Sequence, residues 1–136
     1  MKRFLQLNWK ALSWALIIML LTGLPGNYFP EITSFWDWVS PDKVVHLFVF
    51  GVLSFLILQG NNEQYFKGNQ RLIIVLSLLV SIAYGALTEI LQFYVFIGRH
   101  GSFYDFYANV AGVFCGMALF MLLNRKIKKS VNGFYD

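Results

Sequence analysis

The feature that most constrains the fold is a set of four long apolar runs with almost no charge inside them. They cover about residues 8–24, 42–59, 72–97 and 105–123. A helix rises ~1.5 Å per residue and the bilayer core is ~30 Å thick, so each run has roughly the length of a transmembrane helix. In lipid, a single segment satisfies its own backbone hydrogen bonds only as a helix. The runs predict an all-α fold, an integral membrane bundle of four transmembrane helices.

The composition supports a membrane protein and argues against a soluble domain. Hydrophobic residues make up 57% of the chain, charged residues 13%, and the mean hydropathy is +0.57. Soluble domains carry about 25% charged residues. We therefore expect residues 1–136 to form one membrane domain with membrane lipids as partners. The net charge of +4 does not predict nucleic-acid binding, because the basic residues lie at the ends of the apolar runs rather than along one stripe.

The segments around the first run have two simple interpretations. Basic residues precede it, as in a signal peptide, but no small-x-small cleavage site follows, so we predict an uncleaved span. Residues 25–41 contain three prolines together with Trp36 and Trp38. Such a segment is typical of an interfacial loop, with the indole rings at the lipid headgroups.

Cys115 has no partner for a disulfide and is expected to be a small buried apolar residue.

Basic residues also predict the orientation of the bundle. The N-terminal segment, the connection between the second and third spans and the C-terminal tail hold nine of the eleven Lys and Arg residues. The other two connections hold only Lys43 and Arg99. Cytoplasmic segments carry the excess of Lys and Arg. Both termini are therefore predicted to lie in the cytoplasm, with the chain in the inner membrane of a bacterium.

This orientation brings an unusual set of polar residues to the outer face. Polar groups between apolar spans are costly, so they need a structural or functional reason. Asp42 and His46 are four residues apart and therefore share a helix face. We predict an outward-facing polar site made of Asp42, Lys43, His46, Glu89, Gln92, Arg99, Asp105 and Asn109.

Small residues predict where the helices pack. Gly85 belongs to a seam of small and polar residues on the third span. Gly112 and Gly116 are four residues apart on the fourth span, which is a close-packing pattern for helices in lipid. We expect all three glycines to face neighbouring helices.

Glu89 is the most deeply placed of the charged residues. It precedes the expected end of its span by eight residues, or roughly 12 Å. An isolated carboxylate at that depth costs several kcal/mol or becomes protonated. The expected partners are Arg99, His46 or Asn109, with Lys43 as a weaker choice. Glu89 could serve a function, or it could form a structural pair that fixes helix register.

Alternatives remain open for the other candidates. His46 could be a hydrogen-bonded core histidine, a proton acceptor or a ligand, and Asp42 could be only a charge at a helix start. Arg99 could bind a lipid phosphate or simply extend to the interface, and His100 is expected to be exposed to solvent.

Catalytic and metal-binding patterns are weak in this chain. The sequence has no nucleophile elbow, HExxH motif or phosphate-binding loop. Glu89 and His46 alone are too few ligands for a metal site. We predict no metal and no cofactor, and the question of enzymatic activity stays open.

Three blocks of sequence resemble the VanZ-like family. They are residues 42–53, with Asp-Lys-x-x-His, residues 88–94, with Glu-x-x-Gln, and residues 98–116, with Arg and then Asp-x-x-x-Asn-x-x-Gly. The chain departs from the family at residues 96–98, where many relatives have a proline-rich approach to the arginine. The resemblance implies a small polytopic membrane protein. The family's namesake is associated with low-level resistance to the glycopeptide teicoplanin.

Three functional hypotheses follow from these observations. The first is a site that engages a cell-envelope component, namely a lipid headgroup, a lipid-linked precursor or a glycopeptide. The second is a membrane-embedded hydrolase or transferase that acts on a lipid-linked substrate. The third is a structural or partner-binding membrane protein. The sequence does not predict an oligomeric state.

Overall fold

A computed structural model describes residues 2–23, 41–95 and 103–132 as helices and short connections. The helices are α1 (Lys2–Gly23), α2 (Pro41–Gly60), α3 (Asn62–Lys67), α4 (Gln70–Tyr94) and α5 (Phe103–Asn132). These ranges contain no strand, and α1, α2, α4 and α5 have the length and apolar composition to cross a membrane. The prediction of an all-α chain with four such helices is confirmed. Nearly all of the predicted interfacial loop lies outside the described residues, as do Arg99 and His100.

The helix boundaries differ from the expected ones in two places. The third span ends at Tyr94 rather than at residue 97, with the Val95 amide still donating to the Leu91 carbonyl. Glu89 is therefore five residues, or about 7 Å, from the end of α4, closer than the sequence suggested. The fourth span begins at Phe103 and its helix continues through the basic tail to Asn132.

The short helix α3 was not predicted. The sequence there indicated only a connection between the second and third spans, but Asn62–Lys67 is helical. The ring of Tyr65 packs edge-on against the ring of Phe120, with centroids 5.2 Å apart. A contact with a distant helix stabilises α3, and the local sequence pattern does not predict such a contact. Asn69 then caps α4 by accepting a hydrogen bond from the Leu72 amide.

Long-range contacts establish an antiparallel order of the four long helices. An ion pair of 2.8 Å joins Arg3, at the start of α1, to Glu63, just after α2. In the middle of the bundle, the Trp14 indole donates to the Val49 carbonyl and the Tyr84 hydroxyl donates to the Ala15 carbonyl. The start of α2, the end of α4 and the start of α5 therefore lie together at the opposite end from Arg3.

The distribution of side chains on α4 is the reverse of that on a helix in water. Its buried residues are all small or polar, whereas many of its large apolar residues, including Leu79 and Val80, are exposed. The Ser81 and Thr88 hydroxyls donate to carbonyls one turn earlier, so neither is left without a partner. This arrangement suits a bundle whose outer surface contacts hydrocarbon. The buried residues are Ser77, Ser81, Gly85, Thr88, Glu89 and Gln92.

Glycines bring α2 and α5 into backbone contact. A Cβ atom on Gly112 would overlap the Leu47 carbonyl, and one on Gly116 would overlap the Gly51 carbonyl. Gly85 faces the same region from α4, where an added Cβ would lie 3.3 Å from the Asn109 Cβ. Next to this seam, Cys115 is exposed, so the expectation that it is buried was wrong. The helix turns Gly116 toward α2, and its sequence neighbour consequently faces outward.

Replacing Gly116 with alanine should destabilise the bundle. The added methyl group must push two backbones apart, which costs more than the ~1 kcal/mol gained in helix propensity, and we expect a net loss of about 2 kcal/mol. Thermal unfolding in detergent measures this loss. Ala118→Leu is the control, because Ala118 is exposed on the same helix. Equal stability of the Gly116→Ala variant and the wild type would contradict the close approach of α2 and α5.

Candidate functional site

Asn109 lies at the centre of a hydrogen-bonded cluster that joins three helices. Its side chain is 1% exposed. The amide Nδ2 donates to Glu89 Oε1 on α4 over 2.9 Å, and Oδ1 lies 2.9 Å from His46 Nδ1 on α2. One amide on α5 therefore connects an acid and an imidazole that belong to two other helices.

The direction of these hydrogen bonds assigns the tautomer of His46. Because the Asn109 NH₂ group donates to Glu89, the amide oxygen that faces His46 can only accept. Nδ1 of His46 therefore carries the hydrogen, and it also lies 3.5 Å from Glu89 Oε1. In the neutral ring, Nε2 then has the free lone pair. Nε2 lies 3.7 Å from Asp42 Oδ1.

Helical spacing explains why these side chains meet. Asp42 and His46 are one turn apart on α2, and Asp105 and Asn109 are one turn apart on α5. On α4, Gly85 lies one turn before Glu89 and offers no side chain that would hold Asn109 away. The three helices therefore contribute side chains at two levels, an upper level with Asp42 and Asp105 and a lower level with His46, Asn109 and Glu89.

Asp42 is the exposed member of the cluster, and the other members are buried. The Asp42 side chain is 52% exposed, whereas His46, Glu89 and Asp105 are each exposed by less than a tenth. A buried carboxylate is costly unless hydrogen bonds or a charge compensate it. The Asn109 amide and the His46 N–H group supply such compensation for Glu89. The cluster is thus accessible from one end and closed toward the middle of the bundle.

Five of the eight predicted site residues come together here. We refer to Asp42, His46, Glu89, Asp105 and Asn109 as the polar cluster. Of the other three, Gln92 is buried on the same face of α4, Lys43 is half-buried at the start of α2, and Arg99 lies outside the described residues. Two of the partners expected for Glu89, His46 and Asn109, contact it.

Sequence reasoning placed Asp42, His46 and Asp105 in one polar site but did not predict that they form a close group of three donor atoms. Each offers a donor atom, and these three atoms lie within 4.8 Å of one another. The sequence carried a signal for it, because two helices begin with an Asp one turn before a His or an Asn. One imidazole nitrogen and two carboxylate oxygens are a donor set that can hold a divalent cation or exchange a proton.

The fold and the cluster together define a class of protein. It is a small multi-pass membrane protein in which four apolar helices enclose a polar cluster at one end.

A match to a family sequence profile establishes the family of this chain within that class. The profile of the VanZ/LLP1 family matches residues 4–124, which is nearly the whole chain. The chain therefore belongs to the VanZ/LLP1 family, as its three sequence blocks suggested. No curated protein and no solved structure shows significant similarity to it.

Replacing Asn109 with leucine should destabilise the bundle strongly. The leucine has a similar shape but leaves the buried Glu89 and His46 groups without their shared partner, so we expect a loss of about 3 kcal/mol. Denaturation in detergent, followed by circular dichroism, measures the effect.

Asn124→Leu is the matched control for Asn109→Leu. Asn124 is also buried on α5, but its amide donates only to the Phe120 carbonyl one turn earlier. Losing that local bond should cost about 1 kcal/mol or less. If the two variants lose equal stability, Asn109 has no special part in joining the helices.

Proposed function

We propose that the polar cluster faces the outside of a bacterial inner membrane and engages an anionic envelope component. The ligand would be a phospholipid headgroup or a lipid-linked precursor. The observation that carries the proposal is the polar cluster itself, in which five polar residues from three helices, four of them ionisable, lie together at one end of the bundle. Intramembrane ionisable groups are costly and commonly mark sites that bind or move something.

Charge asymmetry supports the outer location. Lys67, Arg71 and the basic tail lie at the same end of the bundle as the Arg3–Glu63 ion pair. An excess of Lys and Arg is typical of the cytoplasmic side. With that end in the cytoplasm, both termini are cytoplasmic and the polar cluster opens to the outer leaflet.

Positive electrostatic features beside the carboxyl groups of the cluster favour an anionic group at its edge. Helices α2 and α5 both begin at this end, and helix N-termini attract negative charge. Lys43 lies in the first turn of α2 and, in the sequence, Arg99 follows α4. Val44 and Val45, next to Lys43, are exposed on the outer surface of α2. A lipid could therefore place its phosphate at the cluster while its chains stay in the bilayer.

Family membership suggests how such binding could affect glycopeptide susceptibility. Glycopeptides act on lipid-linked cell-wall precursors outside the membrane. A protein that holds such a precursor at its outer face would compete with the antibiotic for it. We therefore include the precursor among the candidate ligands.

A second candidate function is hydrolysis or group transfer on a lipid-linked substrate. The assigned tautomer favours it, because Asn109 and Glu89 orient the His46 ring and leave Nε2 as a base toward the open end. Incubating the purified protein with a polyprenyl-diphosphate sugar and detecting the products by mass spectrometry tests it. Turnover that is lost in Glu89→Gln, with stability retained, would establish this function over simple binding.

Lys43→Gln should weaken the binding of anionic lipid at the start of α2. Photoreactive phosphatidylglycerol and a photoreactive polyprenyl phosphate, each in nanodiscs, distinguish the two ligand sources. We expect cross-links in residues 41–48 and 103–109, and a drop of about tenfold in Lys43→Gln, which corresponds to ~1.4 kcal/mol.

Lys67→Gln serves as the control at the opposite end, where Lys67 is exposed on α3. It should leave the cross-links near α2 unchanged. Cross-links spread equally over both ends, or unaffected by Lys43→Gln, would contradict the binding of anionic lipid at the start of α2. Wild-type melting temperatures in both variants exclude unfolding as the cause.

Thiol labelling tests the proposed orientation. In a Cys115→Ala background, a cysteine introduced by Gly101→Cys should react with an impermeant maleimide on intact spheroplasts, because the positive-inside rule puts residue 101 outside. A cysteine introduced by Gln64→Cys, on exposed α3, should react only after lysis. The reverse labelling pattern would show that the termini lie outside and the polar cluster faces the cytoplasm.

A further inference from the structure

We propose that Asp42, His46 and Asp105 form a binding site for one divalent transition-metal ion, with Zn²⁺ as the ion that the donor set favours. The sequence alone predicted no metal, because it paired His46 only with Glu89. The ligands come instead from the first turns of α2 and α5. Metal binding goes beyond the proposed function, since it does not require a lipid.

The three donor atoms are close enough to share an ion. Since they lie within 4.8 Å of one another, a point exists within roughly 2.8 Å of all three, compared with Zn–N and Zn–O bonds of about 2.0–2.2 Å. Contraction by less than ~1 Å would form the site. Asp42 is half-exposed at the start of its helix, so its side chain can make most of this movement.

His46 gives an independent indication of a ligand position. The His46 side chain is 7% exposed, and its Nδ1–H group is directed to Asn109. Among the described residues, Nε2 has no hydrogen bond, because Asp42 Oδ1 is 3.7 Å away. A protonated Nε2 would draw a carboxylate to about 2.7–2.9 Å. A lone pair that instead faces the Asp42 carboxylate, with Asp105 in the same group of donor atoms, is available to a cation.

The surroundings of His46 match those of a metal-binding histidine. Such residues donate the second ring N–H group to an oxygen, which orients the ring and makes the coordinating nitrogen a better ligand. Here Nδ1–H is directed to Asn109 Oδ1, and Glu89 in turn accepts from the Asn109 amide. Glu89 and Asn109 are therefore positioning residues, while Asp42, His46 and Asp105 are the ligands.

The donor set also indicates which ions would bind. One imidazole and two carboxylates suit Zn²⁺ or Mn²⁺ better than Mg²⁺, which prefers oxygen ligands throughout. Three protein ligands leave a coordination position open on Zn²⁺. That position would face the accessible end of the cluster, where a phosphate oxygen could occupy it. Only this last role rests on the proposed function.

Isothermal titration calorimetry of the full chain in detergent tests the proposal. The protein is stripped with EDTA, carries no histidine tag and is titrated separately with Zn²⁺, Mn²⁺ and Mg²⁺. We expect one equivalent of Zn²⁺ to bind, more tightly than Mg²⁺. Asp105→Asn and His46→Gln should each weaken Zn²⁺ binding by about tenfold or more.

Two controls separate this site from adventitious binding. Glu63→Gln removes a carboxylate at the opposite end of the bundle, and His100→Gln removes the other of the two histidines in the chain. Neither should change the affinity for Zn²⁺. Absence of Zn²⁺ binding, or binding that is lost in His100→Gln but kept in His46→Gln, would overturn the proposal.

Nitrogen-15 NMR of histidine-labelled wild-type protein avoids the risk that a variant misfolds. Zn²⁺ should shift the Nε2 resonance of His46 and leave Nδ1 protonated, whereas a shift confined to His100 would refute the site. Repeating the lipid cross-linking after EDTA treatment separates the two proposals. Lipid binding that persists without any Zn²⁺ affinity would remove only the metal site.

Discussion

The backbone contact between α2 and α5 is the constraint on which the rest of the structure depends. Gly112 meets the carbonyl of Leu47, and Gly116 meets that of Gly51. His46 is the sequence neighbour of Leu47, and Asn109 lies one turn before Gly112. Once the glycines bring the two backbones together, the short Asn109 side chain can therefore reach the imidazole ring. A larger residue at either glycine would separate the helices and break this hydrogen bond, although neither glycine touches it.

An amide suits the centre of the cluster for a reason specific to lipid. Water is absent from the hydrocarbon core, so each buried polar group must find its partner inside the protein. The Asn109 amide both donates and accepts, and it can therefore join a carboxylate to an N–H group of a neutral imidazole. An aspartate at that position would set a second negative charge against Glu89, and a leucine would leave both partners without a hydrogen bond.

Sequence periodicity predicted much of this structure. The apolar runs indicated the four long helices, the spacing of Gly112 and Gly116 indicated close packing, and the four-residue step from Asp42 to His46 placed both on one face. What the pattern could not predict depended on tertiary contacts. Helix α3 forms where Tyr65 meets a distant ring, and the rotation of α5 decides that Cys115 faces outward and Asp105 faces Asp42. Arg99 lies outside the described residues, so its predicted part in the site stays a prediction.

A purely structural role accounts for the lower level of the polar cluster more completely than for the upper level. Glu89, Asn109 and His46 are buried and mutually hydrogen-bonded, so they could serve helix register alone. Asp42 and Asp105 add two carboxyl groups from the first turns of α2 and α5 to the surroundings of His46. The helix dipoles stabilise negative charge at these positions, and a cation between the two acids would stabilise them further. In the proposed metal site, the upper level would supply two of the ligands, and the lower level would hold the ring of His46 in the orientation that binding requires.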